Sequence, residues 1–301
     1  MTTEKKQITV SHYRLNRRDF LAAACLTLAG RISLASAESR DSSRWAMLSD
    51  THIPTVDNSA NPPRGHYYFD PLGNAAKAMA AVAKDLPAGM VITGDLARLT
   101  GQTGDYRNLA GILNSLPPQF PVFHALGNHD DRINFRTLFP KTPGLHPLED
   151  RHVTVVDVPP VRFVLLDSLR KVNQTDGELG PAQLAWLRQF LAASDDTPTL
   201  LYLHHNLTPT GGIADAAELF DIIRPARCVK AAVFGHSHVP GYALLDDIHL
   251  LNLPASGYTF RQHVAAGWVD ATLTRTGGRF ELKTIAGPTS DSPVRELTWR
   301  K

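Results

Sequence analysis

Gly127-Asn128-His129-Asp130 is the stretch of this chain whose residue types offer the most possible chemistry. An amide oxygen, an imidazole and a carboxylate stand at three consecutive positions, and each can bind a cation or a polar substrate. The apolar run Pro121–Leu126 precedes them, and such a run bounded by glycine is typical of a buried strand that ends in a tight turn. We therefore expect these side chains at the end of a strand.

Four further apolar runs end in side chains of the same kinds. The residues that follow these runs are Asp50-Thr51-His52, Gly94-Asp95, His204-His205-Asn206 and Gly235-His236-Ser237-His238. In α/β proteins, sites form beyond the carboxyl ends of the strands of a sheet. Five strand ends could therefore bring carboxylates, imidazoles and an amide into one polar cluster.

This combination of residue types is suited to binding transition-metal ions. Hard oxygen ligands together with neutral imidazoles suit Fe, Mn or Zn. Two such ions about 3.5–4 Å apart can neutralise a phosphate ester and generate hydroxide from water. Holding two cations so close requires a bridging carboxylate. Each residue taken alone is more simply explained as a turn or loop residue, and only the joint arrangement favours metal binding.

The five blocks, in this order over roughly residues 44 to 240, resemble the calcineurin-like metallophosphoesterase superfamily. The resemblance implies a four-layer α/β/β/α sandwich, whereas the alternation of predicted helices and strands alone supports only a mixed α/β fold. Residues 177–187 are similar to a segment of the cyclic-nucleotide-phosphodiesterase-like branch. That branch hydrolyses phosphodiesters, and often phosphomonoesters as well, so the expected partner is a small phosphate ester.

The resemblance also implies a role for each residue of the site. The ligands of the first metal would be Asp50, His52, Asp95 and His238. The ligands of the second metal would be Asp95, Asn128, His205 and His236, so that Asp95 is the bridge. His129 would not be a ligand, and would face the leaving-group oxygen or a phosphate oxygen. Asp130 would hold or orient the loop.

The choice between His204 and His205 rests on the family pattern. Side chains alternate along a strand, so only one of the two can face the site. The pattern favours His205 as the ligand, and His204 could still touch the substrate. Asn206-Leu207 stands where prolines often follow this pair in the family. Arg98 stands where purple acid phosphatases have a tyrosine, so a tyrosinate–iron site is not expected.

The loop over residues 54–71 is a further candidate part of the site, because long structureless loops are often functional. His66 and Tyr68 could enter the pocket from this loop, although this is the less favoured interpretation. Arg98 could contact phosphate or simply lie in solvent. Tyr258 follows the last motif, and a structural loop is the favoured interpretation there.

Residues 1–37 are predicted to be a twin-arginine signal peptide. The paired Arg17 and Arg18 precede an apolar stretch, and Ala35-Ser36-Ala37 is typical of a cleavage site. The alternative is a basic arm followed by a short helix. We therefore predict export by the twin-arginine machinery to the periplasm or beyond the cell, a linker over residues 38–44, and one phosphoesterase domain over residues 45–301.

Composition and charge agree with one large enzymatic domain. The chain has 301 residues, of which 43% are hydrophobic and 20% charged, enough for a substantial core. The leader carries a net charge of +4 and the remainder −2, and such a near-neutral body argues against a stable nucleic-acid partner. The main alternative is an exported phosphomonoesterase. A non-catalytic metal-binding protein is less favoured, because every ligand position and His129 are retained.

Overall fold

Two β-sheets form the centre of the computed structural model, which describes residues 41–145, 147–207, 212–289 and 293–301. The strands in these ranges are β1 Ser42–Leu48, β2 Gly89–Ile92, β3 Val122–His124, β4 Thr154–Val158, β5 Val161–Leu165, β6 Thr199–Tyr202, β7 Val229–Phe234, β8 Gly241–Leu245, β9 Ile248–Asn252, β10 Ala266–Thr274, β11 Gly277–Ala286 and β12 Val294–Thr298. The helices are α1 Pro71–Asp85, α2 Thr103–Leu113, α3 Arg132–Leu138, α4 Pro181–Ala192 and α5 Ala216–Ile223.

Each sheet has six strands and combines parallel with antiparallel pairs. Sheet 1 has the order β12-β11-β10-β1-β2-β3, in which β1, β2 and β3 are parallel. Sheet 2 has the order β4-β5-β6-β7-β9-β8, in which β5, β6, β7 and β9 are parallel. Strands β4 and β5 form an antiparallel pair at one edge of sheet 2.

Alternation along β1 shows how the layers pack. Trp45 and Met47 point into the core between the two sheets, and the Trp45 ring meets Phe163 of sheet 2 edge-on at 4.9 Å. Ala46 and Leu48 point the other way, into a core shared with α1, α2 and α3. Both faces of the strand are therefore buried, as is usual for a parallel sheet covered by helices.

Helices α4 and α5 cover the outer face of sheet 2. Pro181 occupies the first turn of α4, where its missing N–H costs no hydrogen bond. Leu184, Leu187 and Leu191 stand three and four residues apart and are buried on one face of this helix. Together with the helices on sheet 1, this arrangement confirms the four-layer α/β/β/α sandwich.

The start of the domain differs from the prediction. Ser42 pairs with Thr274 of β10, and Trp45 Nε1 donates to Ser43 Oγ at 2.7 Å. Residues 42–44 therefore belong to β1 and not to a linker. The predicted signal peptide over residues 1–37 lies outside the described residues. Strand β12 was not anticipated, because its exposed side chains do not alternate with buried ones. Within the described residues, no helix has the length and apolarity needed to cross a membrane.

Candidate metal centre

The carboxyl ends of five parallel strands meet at one place, as the sequence predicted. Three groups of side chains there bring their ligand atoms within 4.8 Å of one another. The first cluster consists of Asp50, His52 and His238, and the second cluster of Asp95, His204 and His236. The third group, His52, Asp95 and His129, overlaps both.

The first cluster combines one carboxylate with two imidazoles. His238 Nε2 lies 3.3 Å from Asp50 Oδ1 and 3.1 Å from His52 Nε2. Asp50 Oδ2 accepts hydrogen bonds from Ser49 Oγ and from the backbone N–H of His236. Asp50 Oδ1 is buried and accepts no hydrogen bond from the described residues. One oxygen is thus fixed by the protein, and the other is directed at the cluster.

The second cluster is built around Asp95. His204 Nε2 lies 3.3 Å from Asp95 Oδ2 and 3.1 Å from His236 Nδ1. The backbone N–H of His129 donates to Asp95 Oδ1 at 2.9 Å. Asp95 Oδ2 is also 3.7 Å from His52 Nε2 of the first cluster. This carboxylate therefore faces imidazoles of both clusters.

Hydrogen bonds to backbone carbonyls orient four of the imidazoles. The Nδ1–carbonyl pairs are His52 with Arg98 at 3.3 Å, His129 with Leu99 at 2.8 Å, His204 with Thr93 at 3.0 Å and His238 with Tyr258 at 2.9 Å. A carbonyl can only accept, so each Nδ1 carries a proton, and Nε2 is the nitrogen of each ring that can bind an ion. Such orientation by a second hydrogen bond is typical of metal-binding histidines.

Burial and the carboxylates set the protonation of these rings. Burial lowers the pKa of His52 to about 3 and that of His236 to about 4, so both are neutral at physiological pH. Burial also disfavours the charged form of His204, but the Asp95 carboxylate outweighs it and raises the pKa of His204 to about 9. Burial alone would raise the pKa of Asp95, yet His204 holds it well below its ordinary value.

The donor set fits two transition-metal ions. Two imidazole nitrogens that share an ion at roughly 2.0–2.1 Å stand about 3 Å apart, which is the spacing found in the histidine pair of each cluster. Neutral rings at this distance repel through their lone pairs unless a proton or a cation lies between them. The Oδ1 atoms of Asp50 and Asn128 are buried and without a hydrogen-bond partner among the described residues, so each can serve as a further oxygen ligand.

The backbone at the site is strained. Half of the ten described non-glycine residues with positive φ belong to the two clusters, namely Asp50 at 51°, His52 at 48°, Asp95 at 47°, His236 at 70° and His238 at 58°. Such conformations are unfavourable for residues with a Cβ and persist where function requires them. Gly127 is required for space and not for its backbone conformation, because a Cβ at this position would lie 2.2 Å from Asp95 Oδ1.

His205, the predicted ligand, does not belong to either cluster. Its Nδ1 is 2.8 Å from Ser168 Oγ, and the structure gives His204 the position that we predicted for His205. Leu200 and Tyr202 of β6 point between the two sheets, whereas the alternate residues point toward the helices. His204 continues the series that points between the sheets, which explains why it faces the site.

His129 and Asp130 follow the same strand but do different things. His129 Nε2 lies 4.0 Å from Asp95 Oδ2, and its side chain is partly exposed. Asp130 is fully buried and accepts hydrogen bonds from three backbone N–H groups and one hydroxyl, those of Leu96, Ala97, Gly127 and Tyr106. Burial, reinforced by the Asp95 charge, raises the pKa of Asp130 to about 6. These contacts fit the predicted loop-holding role, so Asp130 is a positioning residue.

Tyr258 lies closer to the site than the sequence indicated. Its buried ring is 4.8 Å from the rings of both His52 and His238. The His66 ring contacts the Tyr258 ring at 4.6 Å with the two planes tilted by 44°, so this residue of the long loop does reach the site. Tyr68 instead donates its hydroxyl to the carbonyl of Gln262 at 2.6 Å. The only sequence signal for Tyr258 was its place soon after the last motif.

Comparison with known proteins agrees with this geometry. The family model described as calcineurin-like phosphoesterase matches residues 44–240. A cAMP/cGMP dual specificity phosphodiesterase of Mycobacterium tuberculosis is 32% identical over 191 residues, which cover 60% of this chain and 58% of that protein. A probable cyclic nucleotide phosphodiesterase of Rhodopseudomonas palustris is 31% identical over 208 residues, covering 65% of this chain and 72% of that one.

Two solved structures share the fold. A dimetal phosphatase from Danio rerio superposes with a TM-score of 0.66 at 16% identity, covering 85% of this chain and 99% of that one. A purple acid phosphatase from yellow lupin gives a TM-score of 0.62 at 14% identity, covering 88% and 54%. Identities this low support the fold alone. Since the family model spans more than half of the sequence and includes all five strand ends of the site, the chain belongs to the calcineurin-like phosphoesterase family.

Proposed function

We propose that this chain is an exported, metal-dependent phosphodiesterase that hydrolyses small phosphodiesters such as cyclic nucleotides. The observation that carries the proposal is the position of Asp95, a single carboxylate that faces both clusters. The relatives named as cyclic nucleotide phosphodiesterases support the substrate class. Their aligned parts leave 42% and 28% of those proteins uncovered, so the substrate is part of the proposal.

The residues that would hold two ions are those of the two clusters together with Asn128. The first ion would be held by Asp50, His52, Asp95 and His238, and the second by Asp95, Asn128, His204 and His236. Bound there, two ions of Fe, Mn or Zn would polarise the phosphate ester and supply an activated water.

The protein contributes orientation of the ligands. Ser49 and the backbone of His236 fix Asp50, and the backbone of His129 fixes Asp95. Because these carboxylates cannot rotate freely, their remaining oxygens are directed inward before any ligand arrives. Such outer hydrogen bonds typically change metal affinity or activity by about 10–100-fold.

His129 is the residue placed to move a proton. Its Nδ1 proton is occupied by the Leu99 carbonyl, so proton exchange with a substrate must take place at Nε2. The neutral ring can only accept a hydrogen bond there, and the imidazolium form can donate to the leaving oxygen. The partly exposed side chain supports an exchange at the open side of the site.

An activity panel tests the proposal. The purified protein is assayed with cyclic nucleotides, nucleoside monophosphates, phospholipid-headgroup diesters and aryl phosphates, each with Mn, Fe and Zn. We expect hydrolysis of diesters that is abolished by a chelator and restored by one of these metals. Hydrolysis of monoesters without hydrolysis of any diester would support the alternative, an exported phosphomonoesterase.

Export is tested on the precursor. Arg17→Lys combined with Arg18→Lys should leave the uncleaved precursor in the cytoplasm, whereas the unchanged chain should be cleaved after Ala37. Lys5→Arg with Lys6→Arg is the matched control, since it makes the same kind of exchange outside the motif. Unchanged export of the Arg17/Arg18 variant would contradict the twin-arginine prediction.

A further inference from the structure

Four aromatic side chains form a wall beside the first cluster, which we define as His66, Phe69, Tyr258 and Phe260. The Phe260 ring lies on the ring of His238 at 4.5 Å, and His66 meets Phe260 at 5.1 Å. Phe69 and Tyr258 are buried, whereas Phe260 is 49% exposed and His66 is partly exposed. The buried half of the wall therefore supports an accessible half that adjoins a residue of the site.

The wall is held in place by two loops that are fastened to each other. Tyr67 and Thr259 exchange two backbone hydrogen bonds of 2.8 and 3.0 Å. The side-chain amide of the buried Asn74 donates to the carbonyls of Tyr68 and Gly257, at 2.9 Å each. A surface fixed before binding loses little conformational entropy when a ligand arrives. This construction distinguishes the wall from an exposed ring on a free loop.

Arg98 adds a positive charge at the same place. Its guanidinium lies over the rings of Phe69 and Tyr258, 5.1 and 5.4 Å from their centroids. No carboxylate of the described residues forms an ion pair with it. An arginine that is not paired with a carboxylate keeps its charge available to an anionic ligand. The wall thus offers apolar faces and uncompensated positive charge next to a phosphoesterase site.

We propose that Phe260 and His66 form a stacking subsite for the planar base of a nucleotide substrate. The inference rests on the proposed function and specifies its substrate as a phosphodiester that carries a base. Aromatic rings accept any base through its π-face, so this subsite predicts a preference for nucleotides over diesters without a base, and little discrimination among bases.

Equilibrium binding to the metal-loaded protein, with both ligands checked to remain intact, tests the subsite by a readout other than activity. Adenosine 5′-monophosphate and ribose 5-phosphate share the phosphate and the sugar, so the ratio of their Kd values isolates the base. We expect the unchanged protein to bind the nucleotide about tenfold more tightly, within the range for loss of one base–aromatic contact. Phe260→Ala should bring the ratio close to one by weakening the nucleotide alone, and Phe260→Tyr should preserve it.

Two further variants keep the test independent of folding defects. His66→Ala should reduce the same ratio, and Leu244→Ala should leave it unchanged, because Leu244 is similarly exposed, at 54%, on β8 outside the wall. Equal Kd values for the two ligands in the unchanged protein would overturn the subsite. Equal weakening of both ligands in Phe260→Ala would also overturn it, since the ring would then serve only to support His238.

The two proposals fail in different ways. If the nucleotide preference is present and depends on Phe260, but no diester is hydrolysed with any metal, the subsite stands and the proposed function is wrong. If diesters are hydrolysed and the nucleotide preference is absent, the proposed function stands and the subsite is wrong.

Discussion

The two sheets contribute different chemistry to one site. Sheet 1 leads to both carboxylates, the amide and two imidazoles: Asp50, His52, Asp95, Asn128 and His129. Sheet 2 leads only to imidazoles, those of His204, His236 and His238. Each cluster takes its carboxylate from sheet 1 and at least one imidazole from sheet 2. Packing of one sheet on the other therefore assembles the site, with both carboxylates on one side and only imidazoles on the other.

The largest effect should come from the carboxylate that both clusters share. Asp95→Ala should lose both ions and, with them, a Lewis-acid contribution of several kcal/mol, which corresponds to at least roughly 10³-fold in rate. Metal analysis of the purified variant and its rate measure this. Asp270→Ala is the matched control, because Asp270 is a buried carboxylate of sheet 1 paired with Arg44 away from the site. A full metal complement in Asp95→Ala would contradict the shared role.

Replacement of one imidazole of sheet 2 should have a smaller effect on metal content. His204→Ala should retain one ion and lose the other, because it removes a ligand of the second cluster only. His205→Ala should retain both ions, since its ring is bonded to Ser168. Metal analysis of the two variants shows which of the two neighbouring histidines is the ligand. Loss of an ion from His205→Ala, with both retained in His204→Ala, would restore the ligand that we predicted from the sequence.

His129 tests whether sheet 1 also supplies a group that acts without holding metal. His129→Ala should keep both ions and the fold, and lose roughly 10²–10⁴-fold in rate. The loss should be larger for nucleoside or alkyl esters than for nitrophenyl esters, whose leaving oxygen hardly needs a proton. Equal losses for the two ester classes would show that His129 stabilises charge on the phosphate instead of protonating the leaving group.

The smallest effect concerns pH and distinguishes the clusters. The pKa of His204 is raised to about 9, so below that pH an incoming ion must displace a proton from this ring. Metal affinity of the second cluster should therefore fall by about tenfold for each pH unit below 9. Competition with a chelator between pH 7 and pH 9 measures this dependence. The ion of the first cluster, which His204→Ala should retain, is the control: the pKa of His52 is about 3, so its affinity should depend less on pH over this range. An equal slope for the two ions would assign the proton to another group.

Much of the fold and of the site could be predicted from the sequence, because two signals are strong. Apolar runs that end in polar residues mark strand ends, and parallel strands place those ends at one edge. For that reason the positions of Asp50, Asp95 and His129 agree with the prediction. The start of β1 was missed, because Ser42–Arg44 is as polar as a linker and becomes a strand only by pairing with β10.

The error at His204 and His205 has a physical cause. Strand β6 is buried on both faces, so Leu200–Leu203 carries no alternation of polar and apolar residues that would show which face meets the other sheet. Which of the two histidines points between the sheets depends on how the sheets pack, and a single sequence does not contain that information. The closeness of Tyr258 to the site was underestimated for a similar reason, since it contacts His52 and His66, which are distant in the chain.

The left-handed backbone at five residues of the two clusters limits how this protein can change. A side chain in that conformation costs of order 1–3 kcal/mol, which the rest of the fold must offset. Glycine adopts the conformation without that cost, so His236→Gly should give a more heat-resistant chain than His236→Ala, although neither could complete the second cluster. The site is thus a region where selection for activity opposes selection for thermal stability. If the protein were no longer selected for activity, replacement of these side chains by glycine would increase its stability.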